Sequence, residues 1–161
     1  MGLGFRKPAL PLADPAGLLA TWFGCGLLRP ASGTWGSLAA LPFAWALVAV
    51  GGWPALAATA LAAFAVGCWA ADRYERADGG KDPGAVVIDE VAGQWLVLIP
   101  APLDPLYYLA GFALFRLFDI FKPWPANWAE RRFAGGLGIM LDDVFAAAYG
   151  FAALLAWRLW T

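Results

Sequence analysis

The chain has 161 residues, of which 61% are hydrophobic and only 14% charged, with a formal net charge of −1 and a mean hydropathy of +0.63. Soluble domains carry about a quarter charged residues, so the composition points to a membrane protein, and the near-zero charge excludes a global pull on nucleic acid. Histidine is absent, which excludes histidine metal ligands, phosphohistidine intermediates and histidine general bases together.

The length suits one domain over residues 1–161. Cys25 and Cys68 lie in apolar surroundings without a C-x-x-C spacing, and read as buried small side chains rather than a disulfide. Residues 1–15 form an irregular lead-in, broken by prolines and without a cleavage signature. Residues 16–28 are apolar but too short to span, which predicts an interfacial or re-entrant helix. A small-residue loop, residues 29–37, leads into a first crossing over 38–50. Gly51-Gly52-Trp53-Pro54 predicts a tight turn, and residues 55–71 a return. Residues 72–84 are the most polar stretch. Further crossings are predicted over 86–99, 106–121 and 139–160, with a turn at 100–105 and a basic, Trp- and Gly-rich loop at 122–138. The fold class is therefore an all-α, polytopic membrane bundle of about five crossings, because lipid leaves an open sheet edge unsatisfied.

Arg6, Lys7 and Arg29 precede the first crossing. Arg73, Arg76 and Lys81 follow the second, and Lys122, Arg131 and Arg132 follow the fourth. The two opposite turns carry no Lys or Arg, and Arg158 is the exception to the asymmetry. The positive-inside rule then places the long loops in the cytoplasm. Asp89–Glu90, Asp119 and Asp142–Asp143 all fall at span ends on that side, so distant segments converge at one depth.

Each group has two readings. Asp89–Glu90 and Asp142–Asp143 can cap helix N-termini, where anions suit the dipole. Asp119 sits at a helix C-terminus, where the dipole disfavours it, and needs a cation. Arg116 one turn earlier is one candidate, and a metal is the other. Carboxylates without histidine or thiolate partners favour a hard cation, Mg²⁺ first. Lys122, three residues beyond Asp119, suits a bound phosphate. Ser32-Gly33-Thr34-Trp35-Gly36-Ser37 can present N–H groups to a phosphate or act as ordinary helix caps, and it lacks the lysine of a nucleotide P-loop. Arg131 and Arg132 read as topology signals, Trp124 and Trp128 as an interface belt, and Glu75, Asp78 and Asp82 as solvated loop charges. Together the carboxylates, the basic residue and the anion cradle suggest metal-assisted phosphate chemistry on a lipid.

At these residues the chain resembles the phosphatidylglycerophosphatase A family. The resemblance is carried by Gly24-x-Gly26-Leu27 with Gly33-Thr34-x-Gly36-Ser37-Leu38. It continues through Lys81-Asp82-Pro83-Gly84, Val87-Ile88-Asp89-Glu90 and Gly93-Gln94. It ends with Phe115-Arg116-x-x-Asp119, Lys122-Pro123-Trp124-Pro125, Gly135-Gly136-x-Gly138-Ile139-Met140 and Asp142-Asp143. Ser32 stands where the family usually has proline. The resemblance implies a bacterial inner-membrane enzyme, and the positive-inside reading puts its site at the cytoplasmic face. It implies Mg²⁺-dependent removal of the terminal phosphate of phosphatidylglycerophosphate. Asp89, Glu90, Asp119, Asp142 and Asp143 would then be metal and catalytic residues, with Lys122 catalytic as well. Lys122, Arg116, Ser32, Gly33, Thr34, Gly36 and Ser37 would hold the phosphate.

No Cys-x₅-Arg, D-x-D-x-[TV] or D-G-x-x-A-R signature occurs, which removes the cysteine and aspartyl-phosphate phosphatases and the CDP-alcohol phosphotransferases. A small cation transporter also explains intramembrane carboxylates, although transporters place them near mid-bilayer.

Overall fold

The computed structural model describes residues 4–160, Glu130 by its backbone alone. The first three residues of the expected lead-in lie outside the described residues. Six α-helices occur among the described residues: α1 (Pro15–Ala20), α2 (Ser32–Asp78), α3 (Ile88–Leu98), α4 (Pro105–Phe121), α5 (Ala126–Arg132) and α6 (Gly135–Trp160). A 3₁₀ turn over Cys25–Leu27 follows α1. Among the described residues the one departure from helix and loop is a two-residue antiparallel ladder of β1 (Gly4–Phe5) and β2 (Leu28–Arg29). It pins the lead-in to the chain just before α2.

α2 is two helices joined at Gly52, whose φ of 67° and ψ of −171° break the helical run just before Pro54. A side chain at Gly36 would strike Val87, and one at Gly67 would meet Ile88 and Met140. In a straight helix those glycines would be roughly 46 Å apart. Both lie against the start of α3, so the arms fold back on each other as the predicted turn requires. The remaining boundaries follow local chemistry. Asp104 accepts from the Leu106 N–H at 2.7 Å and Pro105 occupies the first turn of α4. α4 stops at Lys122, left-handed at φ 42°, just before Pro123.

Among the described residues, α2 and α6 are the two helices long and apolar enough, by length and composition, to cross a membrane. α3, with 11 residues, and α4, with 17, are shorter than the roughly 20 that a typical bilayer requires. α3 is the centre of the packing, held against α2, α4 and α6. Trp95 donates its indole N–H to the Ala40 carbonyl at 3.0 Å inside the core. Gly93 lets Phe115 of α4 and the Asp143 carbonyl of α6 approach, and Gly150 of α6 receives Val97. Close approach through small residues is what holds helices together where lipid competes equally for apolar surface. Arg158 donates to the Pro100 carbonyl at 2.6 Å, closing the end of the bundle where the α3–α4 turn lies. That contact gives the one basic residue outside the topology pattern a structural task.

Two boundaries differ from the sequence expectation. The glycine- and hydroxyl-rich loop is largely the first turns of α2, since Ala31 takes a left-handed conformation and starts the helix at Ser32. The basic loop contains α5, and α6 begins at Gly135, so Asp142 and Asp143 lie two turns inside α6 and do not cap it.

Candidate metal and phosphate site

Three helices bring their carboxylates to one place. Asp89 and Glu90 stand in the first turn of α3, Asp119 in the last turn of α4, and Asp142 and Asp143 in the third turn of α6. Asp89, Glu90 and Asp143 each offer a carboxylate oxygen, and these oxygens lie within 4.8 Å of one another. Asp89 Oδ1, Glu90 Oε2 and Asp143 Oδ2 are buried without a hydrogen-bond partner. Unpaired anionic oxygens crowded in an apolar interior are costly. Oxygen-only donors without nitrogen or sulfur suit a hard divalent cation, so the residues present fit Mg²⁺.

The remaining two aspartates hold cations of the chain. Arg116 Nη1 lies 2.5 Å from Asp119 Oδ2 and 3.8 Å from Glu90 Oε1, so one guanidinium bridges α4 and α3. Asp119 also lies within electrostatic reach of Asp143. The helix ion pair is therefore present, and it sits inside the acidic cluster rather than on an outer face. Lys122 Nζ donates to Asp142 Oδ2 at 2.5 Å, linking the end of α4 to α6. Lys122 and Asp82, at φ 42° and 48°, are both non-glycine residues in left-handed backbone, a conformation that costs on the order of 1 kcal/mol or more and collects at functional sites.

The first turn of α2 forms one wall. A Cβ on Gly33 would collide with Glu90 Oε1 and come within 2.9 Å of Arg116 Nη1. Only glycine allows this approach. Other groups of that segment are engaged elsewhere: the Thr34 N–H donates to the Ala31 carbonyl and Ser37 Oγ to the Gly33 carbonyl, while Ser32 Oγ reaches the Gly84 carbonyl in the loop before α3. Gly36 receives Val87. Gly33 is thus the member of the segment that touches the acidic cluster directly.

Two features were not legible as site residues. Glu75, Lys81 and Asp82 line a crevice of about 10 Å³ with Asp142, Gly135 and Gly138, room for about one water. They stand at the edge of the site and are not merely solvated loop charges; the turn Lys81-Asp82-Pro83-Gly84 leading toward Asp89 was the available signal. Gln94 is fully buried, and neither Nε2 nor Oε1 has a partner. It lies one turn beyond Glu90 on the same face of α3, and the Gly93-Gln94 step of the resemblance was its signal. Arg131 and Arg132 do not join the cluster. They lie with Trp124, Asn127 and Trp128 along a separate groove.

A family model described as Phosphatidylglycerophosphatase A matches residues 18–158. A Phosphatidylglycerophosphatase A of Haemophilus influenzae is 39% identical over 152 residues, covering 94% of this chain and 93% of that protein. One of Escherichia coli is 38% identical over 141 residues, covering 87% and 81%. A Bacteroides thetaiotaomicron protein, provisionally named a phosphatidylinositol-3-phosphatase, is 40% identical over 154 residues, covering 88% and 92%. No solved structure matches.

Proposed function

The chain belongs to the phosphatidylglycerophosphatase A family, and on that premise we propose that it hydrolyses the terminal phosphate monoester of phosphatidylglycerophosphate to phosphatidylglycerol and inorganic phosphate, with Mg²⁺ as cofactor, in bacterial phospholipid synthesis. The observation that carries the reading is the set of three unpartnered carboxylate oxygens from α3 and α6 beside two paired cations.

Asp89, Glu90 and Asp143 would hold the cation. When bound, it supplies positive charge to neutralise the phosphoryl oxygens. Arg116 and Lys122 supply the protein's own charge to the same group, and Asp119 and Asp142 hold those two side chains in place. Phosphoryl transfer depends chiefly on such positioning and charge neutralisation. Water attacks phosphorus, the ester P–O bond breaks, and the lipid alcohol leaves with a proton. The carboxylate oxygens not committed to the cation or to a basic partner are the acceptors for the water's proton.

The two arms of α2 with α3, α4 and α6 form the five segments of a multi-pass bundle in the inner membrane. The acidic cluster faces the cytoplasm, as the basic residues around it direct.

Purified protein in detergent tests this. Phosphate should be released from phosphatidylglycerophosphate, stop with EDTA and return with added Mg²⁺. Phosphatidylinositol 3-phosphate is the comparison substrate, because one relative bears that name. Full activity in chelator would eliminate the cation, and no release in Mg²⁺ would eliminate the substrate.

A further inference from the structure

α5 has two unlike faces. Ala126 and Ala129 are fully buried on the inner side. Trp124, Asn127, Trp128, Arg131 and Arg132 line a groove of about 350 Å³ along the outer side, within the size range of small-ligand sites. Trp124 is 72% exposed and Trp128 46%, and both arginines are exposed as well. Two large aromatic rings open to the surroundings beside two guanidinium groups form neither a core nor a simple solvated face. Tryptophan prefers the headgroup level of a bilayer, where its ring is apolar and its N–H is wet. Arginine offers a planar fork that matches phosphate oxygens.

The groove is also anchored to the site. The Tyr149 hydroxyl of α6 donates to the Trp124 carbonyl at 2.7 Å, and Trp124 follows Lys122, the partner of Asp142, by two residues. A molecule in the groove therefore lies against the segment that carries the catalytic lysine.

We propose that this groove binds the diester phosphate of an anionic phospholipid, with Arg131 and Arg132 on the phosphate and Trp124 and Trp128 against the adjoining glycerol and upper acyl chain. The argument for this occupant is charge and shape: Arg131, Arg132 and Trp128 lie on α5 with Trp124 just before it, and no acidic residue stands among the described residues that line the groove. It rests on the membrane placement given above. The site differs from the acidic cluster, which takes a phosphate monoester. It makes the enzyme a reader of the lipid surface as well as of the group it removes.

The test uses full-length protein in nanodiscs containing bromine-labelled phosphatidylserine or bromine-labelled phosphatidylcholine, read by tryptophan quenching. The anionic lipid should quench more, reflecting enrichment at the groove on the order of tenfold for two arginines at a charged surface. The excess should vanish in Trp124→Phe/Trp128→Phe, which removes the reporters, and in Arg131→Gln/Arg132→Gln, which removes the charge. Arg131→Lys/Arg132→Lys should keep most of it. Equal quenching by both lipids in the unaltered protein would overturn the proposal, as would an excess that survives the glutamine variant or is lost equally in the lysine variant. Displacement of the excess by inorganic phosphate would make this a free-phosphate site, and also overturns it. Phosphate release from phosphatidylglycerophosphate, measured in the same discs, separates this claim from the enzymatic one: an inactive protein that keeps the quenching excess refutes the activity and leaves the groove standing.

Discussion

Lys122 Nζ lies 2.5 Å from Asp142 Oδ2, and this single contact joins the last turn of α4 to the third turn of α6. Asp142 is only 5% exposed, so its charge depends on that lysine. Lys122→Met should cost about 3–5 kcal/mol, the range for an abandoned partner in a buried pair. Adding Asp142→Asn should restore most of that stability. Chemical unfolding in detergent measures both. On the role proposed for Lys122 at the phosphate, release should stay low in the double variant. A double variant that regains both stability and turnover would reduce Lys122 to a structural tie.

Asp119 and Arg116 invite the same dissection. Asp119→Asn should lower turnover by roughly 100- to 1000-fold, the scale for loss of one charge-stabilising group. Asp119→Asn with Arg116→Gln should recover folding without recovering turnover. Near-normal phosphate release from that pair would remove Asp119 from the chemistry.

Asp143→Asn tests the metal by thermodynamics. Asp89, Glu90 and Asp143 repel one another when no cation is present, so removing one charge should stabilise the metal-free protein by about 1 kcal/mol. The unaltered protein should gain about 2.7 kcal/mol when Mg²⁺ reaches a hundredfold excess over its dissociation constant, and the variant almost nothing. Thermal unfolding with and without Mg²⁺ reads both effects. Equal Mg²⁺ stabilisation in the two proteins would place the cation elsewhere.

Much of this arrangement was legible in the sequence. Charged residues inside apolar runs marked Asp89, Glu90, Asp119, Asp142 and Asp143, and the Gly51-Gly52-Trp53-Pro54, Asp104-Pro105 and Lys122-Pro123 steps marked the turns. The helix starts were less so. Gly135 to Gly138 is poor helix sequence by propensity. Yet α6 begins there because Gly136 packs directly on the Cys68 carbonyl and Asp72 of α2, and no larger residue fits. That contact carries Asp142 and Asp143 two turns into the helix. α5 was hidden by Pro123 and Pro125, which read as breakers although Pro125 sits just outside the helix it precedes. Gln94 stood in the Gly93-Gln94 step of the resemblance but had no assigned role, because one amide in an apolar stretch has no spacing pattern of its own.

Gln94→Leu converts that anomaly into a measurement. An unpartnered buried amide costs about 1–3 kcal/mol, so leucine should be neutral or stabilising. If the amide orients Glu90, Mg²⁺ affinity and turnover should each fall at least about tenfold while stability rises, the trade-off expected at functional sites. Unchanged affinity and turnover would make Gln94 a tolerated imperfection.

Topology is testable at Gly80, which is exposed and free of the φ of 78° that would strain a side chain at Gly79. In a protein with Cys25 and Cys68 replaced by alanine, Gly80→Cys should resist membrane-impermeant thiol reagents in intact cells and react after lysis. Ready labelling of intact cells would invert the orientation.

Asp89 through Asp143 contains every acidic ligand candidate and both cations paired with them, whereas the α2 hairpin contributes mainly glycines and apolar side chains to the wall. The joint between these portions, residues 79–82, is exposed. The gene is therefore divisible there into two fragments, one with all five clustered carboxylates and both paired cations and one with none of these. Lipid dephosphorylation by the co-expressed pieces would then report helix association within a living membrane, because neither fragment encloses the cluster by itself.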